Sequence, residues 1–267
     1  MIDTIAKLNG IIQILALVLI LIRAFLVVRD LTKSVTGVFF MFAIFTHLSV
    51  DMYYLIHIAM NKGYYPPFSA MDLAALGTYL LFGAAAHSLF PERTGERSET
   101  IVSVCAALFA AANVFLWGYY SGAWFQDIFS GITFIYLLVT SSQAVYRTGA
   151  LKRDKWYILG SIWLTFVAGQ VCVPILQNAG AVLAANAVEW LNYSLMFGTF
   201  LWLAAKVILC ARRTEKDQAL ALSFGLMCWS LCTLYMCAEP FYQLALFGET
   251  FQLLLMWFII ERRVKTA

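Results

Sequence analysis

Apolar windows of about 20 residues recur with only short breaks from Ile5 to Ile260, and this recurrence leaves the chain few folds to choose from. Each window is long enough to cross a bilayer as a helix, and no stretch between them is long enough for a soluble domain. Hydrophobic residues make up 62% of the 267 and charged residues only 12%, with a mean hydropathy of +0.79, which excludes a water-soluble fold of this size. Barrel strands would read as about 10 residues of strict alternation, which is not the pattern here. The expected fold is all-α: a polytopic membrane bundle of about nine helices forming a single integral membrane domain, 1–267. The spans fall near 5–28, 35–60, 69–90, 99–121, 125–147, 155–177, 184–210, 217–237 and 241–261, with ends good to about 2–4 residues. The first is too long for a signal peptide and no Ala-x-Ala site follows it, so it reads as a membrane helix.

Charge sorting orients the bundle. Arg23, Arg29, Lys33, Arg93, Arg97, Arg147, Lys152, Arg153, Lys155, Lys206, Arg212, Arg213, Lys216, Arg262, Arg263 and Lys265 end or follow alternate spans, and only Lys7 and Lys62 fall on the other side. The positive-inside rule then predicts an outside N-terminus and a cytoplasmic C-terminus in a plasma membrane. The net charge of +3 is accounted for by topology and gives no reason to expect nucleic acid as a partner.

The loops are short. Pro91 to Glu99 reads as a solvated cytoplasmic turn of mixed charge. On the outer side Pro66 and Pro67 stop a helix, Ser69 and Asp72 form a capping-box-like pair, and Phe68 and Leu73 are spaced as a hydrophobic staple. Of six cysteines, five lie inside spans, and Cys228 and Cys232 share a helical face, where small residues pack helices together.

Polar residues inside the spans carry the functional signal. Asp51, Asn113, Gln170, Asn186, Glu189, Asn192 and Glu249 fall in the outer halves of their spans, whereas the inner half offers mainly Gln143. An acid at the centre of a spanning helix costs about 2.5–3.5 kcal/mol on insertion scales, so Asp51 requires a partner or a wet cavity. Helical spacing places His47, Asp51 and Tyr54 on one stripe, and Asn186, Glu189 and Tyr193 on another. Two readings follow: the stripes bond to each other and lock helices together, or they line a cavity open to the outside. Tyr119, Tyr120, Trp124, Trp190 and Tyr242 lie near the same surface, either as an interfacial belt or as an enclosure for an organic cation. His47, His57 and His87 sit at three depths and cannot gather at one metal or haem, and no Lys lies deep enough for a Schiff base. No GxSxG, HExxH or phosphate-binding glycine loop is present, so neither a cofactor nor a catalytic residue is expected.

The run Asp51, Tyr54, Gly63, Pro67-Phe68-Ser69 and Asp72 resembles multi-pass sensory membrane domains that precede bacterial diguanylate cyclases and sensor kinases. The resemblance covers roughly 40 residues, and the second proline expected between Phe and Ser is absent. It implies a helical sensing module whose output joins at the cytoplasmic C-terminus. Only Glu261 to Ala267 follow the last span, so the expectation is either a sensor that signals through a cytoplasmic partner or a module cut from, or evolved away from, a larger receptor.

The leading expectation is therefore a membrane sensor binding a small molecule or cation from the outer face in a pocket built from spans 2, 3, 7 and 9. Its site residues are His47, Asp51, Tyr54, Asp72, Asn186, Glu189, Tyr193 and Glu249. The alternatives are a cation- or proton-coupled transporter, against which an odd span count weighs, and a membrane-embedded enzyme acting on lipid, for which only His47 and Asp51 come near the required groups.

Overall fold

A computed structural model describes residues 2–61, 70–90, 96–121, 124–149, 155–213, 215–236 and 241–265, and among them the chain is all-helical. Its elements are α1 (Ile2–Leu26), the one-turn α2 (Val28–Leu31), α3 (Val35–Asn61), α4 (Ala70–Leu89), α5 (Arg97–Ser121), α6 (Trp124–Thr148), α7 (Lys155–Phe166), α8 (Val173–Asn178), α9 (Val182–Arg212), α10 (Lys216–Met236) and α11 (Phe241–Lys265). Every apolar window is thus helical. Seven rods are long and apolar enough to cross a membrane: α1, α3, α5, α6, α7 continued into α8, α9 and α11. The shorter α4, with Asp72 and His87 in its end turns, is outside that set, as is α10. The outer turn with Lys62, Gly63, Pro67, Phe68 and Ser69, together with Arg93, Lys152 and Arg153, lies outside the described residues.

α7 and α8 are joined by a π-helical segment, Val167–Cys172, and Pro174 explains it. A proline ring collides with the carbonyl four residues back, here Gln170, and the helix widens instead of breaking. The rod then ends at Gly180 (φ 75°), where the Gly180 and Ala181 amides close onto the Gln177 and Leu176 carbonyls.

α10 is the hub. It is apolar on all sides and buried almost continuously from Ala219 to Cys232, as expected of a helix that neighbours enclose completely. α4, α6, α9 and α11 pack on it, and the Trp229 indole N–H donates to the Met196 carbonyl of α9 at 3.1 Å. α1 packs on both α3 and α11, α3 on α4, α4 on α6, and α6 on α10, so α1, α3, α4, α6, α10 and α11 close a ring. α5 flanks it through α6, and α7 to α9 flank it through α10.

Small residues set the closest helix approaches. A Cβ on Gly83 of α4 would stand 2.5 Å from the Tyr136 ring of α6, and one on Gly131 of α6 would collide with Val114 of α5, a β-branched side chain with little rotamer freedom. Gly83→Ala and Gly131→Ala are each expected to destabilise by about 1–3 kcal/mol. Thermal unfolding in nanodiscs reads this, with Gly160→Ala, which faces open space, unchanged as the control.

The end of the bundle where the basic residues gather is stitched by ion pairs. Arg23 of α1 forks onto Glu261 of α11 at 3.0 and 2.7 Å, Lys265 joins Glu261 at 2.7 Å, and Arg263 reaches Asp217 of α10 at 2.7 Å. Arg147 of α6 pairs with Glu99 of α5 at 2.5 Å, with both side chains buried, and also caps the Phe90 carbonyl beyond α4. Tyr146 donates to Glu96 at 2.5 Å. The expectation of a merely solvated turn at Pro91 to Glu99 is therefore corrected for its described end. Glu96 and Glu99 are structural partners, because Arg147 and Tyr146 arrive beside them on the neighbouring helix. Gln143, the polar residue of the inner half, donates to Ser103 at 3.0 Å.

Candidate functional site

At the opposite end, the ring of six helices holds a cavity of two adjacent chambers that share part of their walls. The deeper one, about 190 Å³, is lined by Gln13, His47, Asp51, Thr78, Tyr79, Phe82, Met227, Tyr242 and Glu249, among others. The larger, about 470 Å³, lies nearer the helix ends and adds Tyr54, Asp72, Asp127, Ser130 and Gln243. Asp51, Gln13, Tyr79 and Tyr242 border both. Along α4 the cavity runs from Asp72 to Phe82, ten residues or about 15 Å of helix. Phe82, at its inner end, packs tilted on Phe40 (5.8 Å between centroids), and Phe40 stacks on Trp257 (6.4 Å).

Each helix places its polar groups by simple periodicity. On α3, His47, Asp51 and Tyr54 repeat at four and three residues, so all three meet the cavity. His47 Nε2 lies 3.0 Å from the Gln13 amide nitrogen of α1, so that amide N–H donates to an imidazole carrying its own proton on Nδ1. Asp51 Oδ2 stands 3.9 Å from His47 Nε2, too far for a hydrogen bond. That oxygen is buried and has no hydrogen-bond partner. Glu249 of α11, 5% exposed, feels both His47 and Asp51 and interacts with Gln13. Asn9 braces the wall by donating to the Gln243 backbone and side-chain oxygens at 3.0 and 2.9 Å, tying α1 to α11. Thr46 and Thr78 bond across α3 and α4 at 3.0 Å.

Five of the eight residues expected from the sequence therefore converge on this cavity: His47, Asp51, Tyr54, Asp72 and Glu249. The other three do not line it. Asn186 is exposed on α9, and the Tyr193 hydroxyl donates to Glu189 within the same helix at 2.8 Å. The Tyr193 ring stacks on Phe241 of α11 at 4.3 Å, with Trp190 edge-on to Phe241 at 5.2 Å. The pocket walls are thus spans 1, 2, 3, 5, 8 and 9, and span 7 packs outside the ring. Of the outer aromatics, Tyr242 lines the cavity, while Tyr119 and Trp190 are largely exposed, as belt residues are.

Sequence reasoning did not single out Gln13, Tyr79, Thr78, Gln243 or Asp127 as site residues. A signal was present for the first of these: Asn9 and Gln13, four residues apart, are polar interruptions of the first apolar window on one helical face.

Chemically, the deeper chamber places two carboxylates and one imidazole in a low-dielectric bundle. Buried carboxylates persist only when protonated or matched by positive charge, and the single His47 cannot match both. Such an arrangement can accept a proton or a cation.

The apolar rods and the ring they close make this a multi-pass membrane protein of the all-helical class. No family model matches the sequence, and no curated protein or solved structure matches it significantly.

Proposed function

We propose that the chain is a membrane sensor that binds a small cation from the outer face in the Asp51–Glu249 cavity and signals through a partner at its basic, cytoplasmic end. One observation carries the proposal: a buried carboxylate oxygen of Asp51 without a partner, set in a cavity large enough for a ligand. In this arrangement all nine rods cross the bilayer, α4 and α10 alongside the seven most apolar ones, and the basic end faces the cytoplasm. The resemblance of the Asp51 to Asp72 region to sensory membrane domains agrees with the same assignment.

The aromatic packing at the inner end supports sensing over conduction, since Phe40, Phe82 and Trp257 are buried against one another there. A cation drawn between Asp51 of α3 and Glu249 of α11 favours one spacing of those helices. α11 carries that spacing to the Arg23–Glu261 and Arg263–Asp217 pairs at the other end. Signalling requires only that the cation prefer one packing over the other.

Reconstitution into liposomes tests this. The expected result is saturable cation binding with no net flux. Cation or proton flux that disappears in Asp51→Asn would replace the sensor with a transporter.

A further inference from the structure

Resting on the cation-site proposal, we propose that the ligand is a small primary amine, bound as its ammonium ion inside the deeper chamber, with its nitrogen at Asp51 and a compact apolar substituent against the chamber wall.

The open acceptor sets the chemistry of the charged end. Asp51 Oδ2 is buried and has no hydrogen-bond partner, so a ligand that satisfies it has to bring an N–H or O–H donor. His47 does not fill the role, because its Nε2 faces the Gln13 amide at 3.0 Å and stays 3.9 Å from the Asp51 oxygen. Glu249, 5% exposed on α11, borders the same chamber and gives the three donors of an ammonium group a second acidic wall. A quaternary ammonium carries the charge without a donor and would leave the Asp51 oxygen unsatisfied. A bare metal ion fits no better. Among the described residues no three His, Cys, Asp or Glu side chains could hold one together, and Mg²⁺ or Ca²⁺ takes about six or more oxygen ligands.

The rest of the chamber sets the other end of the ligand. Val50, Ala75, Phe82, Met227 and Leu231 line it, and such a wall gives a hydrated ion nothing in exchange for its water but suits an alkyl or aryl group. Tyr79 and Tyr242 add aromatic rings, which attract a cation held beside them. Size limits the substituent. An apolar cavity of about 150 Å³ accommodates benzene. The deeper chamber, about 190 Å³, therefore takes a ligand of about six to eight non-hydrogen atoms.

The test is calorimetric titration of the full chain in nanodiscs, corrected with empty nanodiscs, using n-pentylamine, methylamine, n-pentyltrimethylammonium and Mg²⁺. n-Pentylamine is expected to bind at least about tenfold more tightly than methylamine or the quaternary ion, and to lose about 100-fold or more in Asp51→Asn. Ala75→Leu, which fills part of the chamber, is expected to remove most of the advantage over methylamine. Should that variant not fold, the ligand series on the wild type decides alone. Asp51-dependent binding in which n-pentylamine is no tighter than methylamine, or no tighter than its quaternary analogue, would overturn the compact primary amine and leave the cation site standing. Tighter binding of Mg²⁺ than of any amine would do the same. Binding of n-pentylamine that is unchanged in Asp51→Asn, or binding of no amine and no metal, would remove both proposals together.

Discussion

Replacing Asp51 with Asn is expected to weaken cation binding by at least about 100-fold, or about 2.8 kcal/mol, while the empty protein melts at the same temperature or higher. The two effects separate because of where the oxygen sits. Asp51 Oδ2 is buried without a hydrogen bond, and the His47 imidazole is 3.9 Å away. The carboxylate therefore gains little from the protein in the empty state and carries a desolvation cost, which an amide of the same shape largely avoids. A bound cation reverses the balance, and Asn cannot supply the charge. Calorimetry and thermal unfolding on the same nanodisc preparation check both halves. An Asp51→Asn protein that melts several degrees lower would show that the side chain holds the helices together.

Arg147→Met is expected to produce the opposite pattern, a loss of about 3–5 kcal/mol in stability with cation affinity in the surviving folded protein unchanged. Arg147 and Glu99 have side chains only 4% and 6% exposed. Arg147 also satisfies the Phe90 carbonyl, so one guanidinium joins α6, the start of α5 and the end of α4. Removing it takes the guanidinium away from the buried Glu99 carboxylate. Arg147→Met/Glu99→Leu is expected to recover most of the loss, since two apolar side chains replace the buried pair. Unfolding midpoints of the two variants against the wild type decide it. A double variant no more stable than the single would show that the Phe90 cap and packing, rather than the charge pair, carry the effect.

Helix positions were legible because bilayer length and apolar composition act on each segment by itself. The His47, Asp51 and Tyr54 stripe was legible because periodicity on one helix needs no knowledge of its neighbours. What required the structure was adjacency. The α3 and α9 stripes are equivalent in sequence, yet α3 faces the ring interior and α9 packs its Tyr193 on Phe241 outside it. α10 shows the same limit: a helix apolar on every side can face lipid or protein, and only the surrounding helices show that it is the hub. Glu99 was misread as solvated because a charged residue next to a loop gives no local sign that an arginine 48 residues away will bury it.

The measurement that tests the account most directly is amine binding to the nanodisc-embedded chain in Glu249→Gln and Glu189→Gln compared side by side with the wild type. The sequence gives both acids similar standing, but the structure puts Glu249 in the cavity wall and Glu189 in a pair with Tyr193 on another helix. Loss of binding in Glu249→Gln with full binding in Glu189→Gln is the predicted result. Retained binding in Glu249→Gln, or equal loss in both, would contradict a cation site inside the ring of six helices.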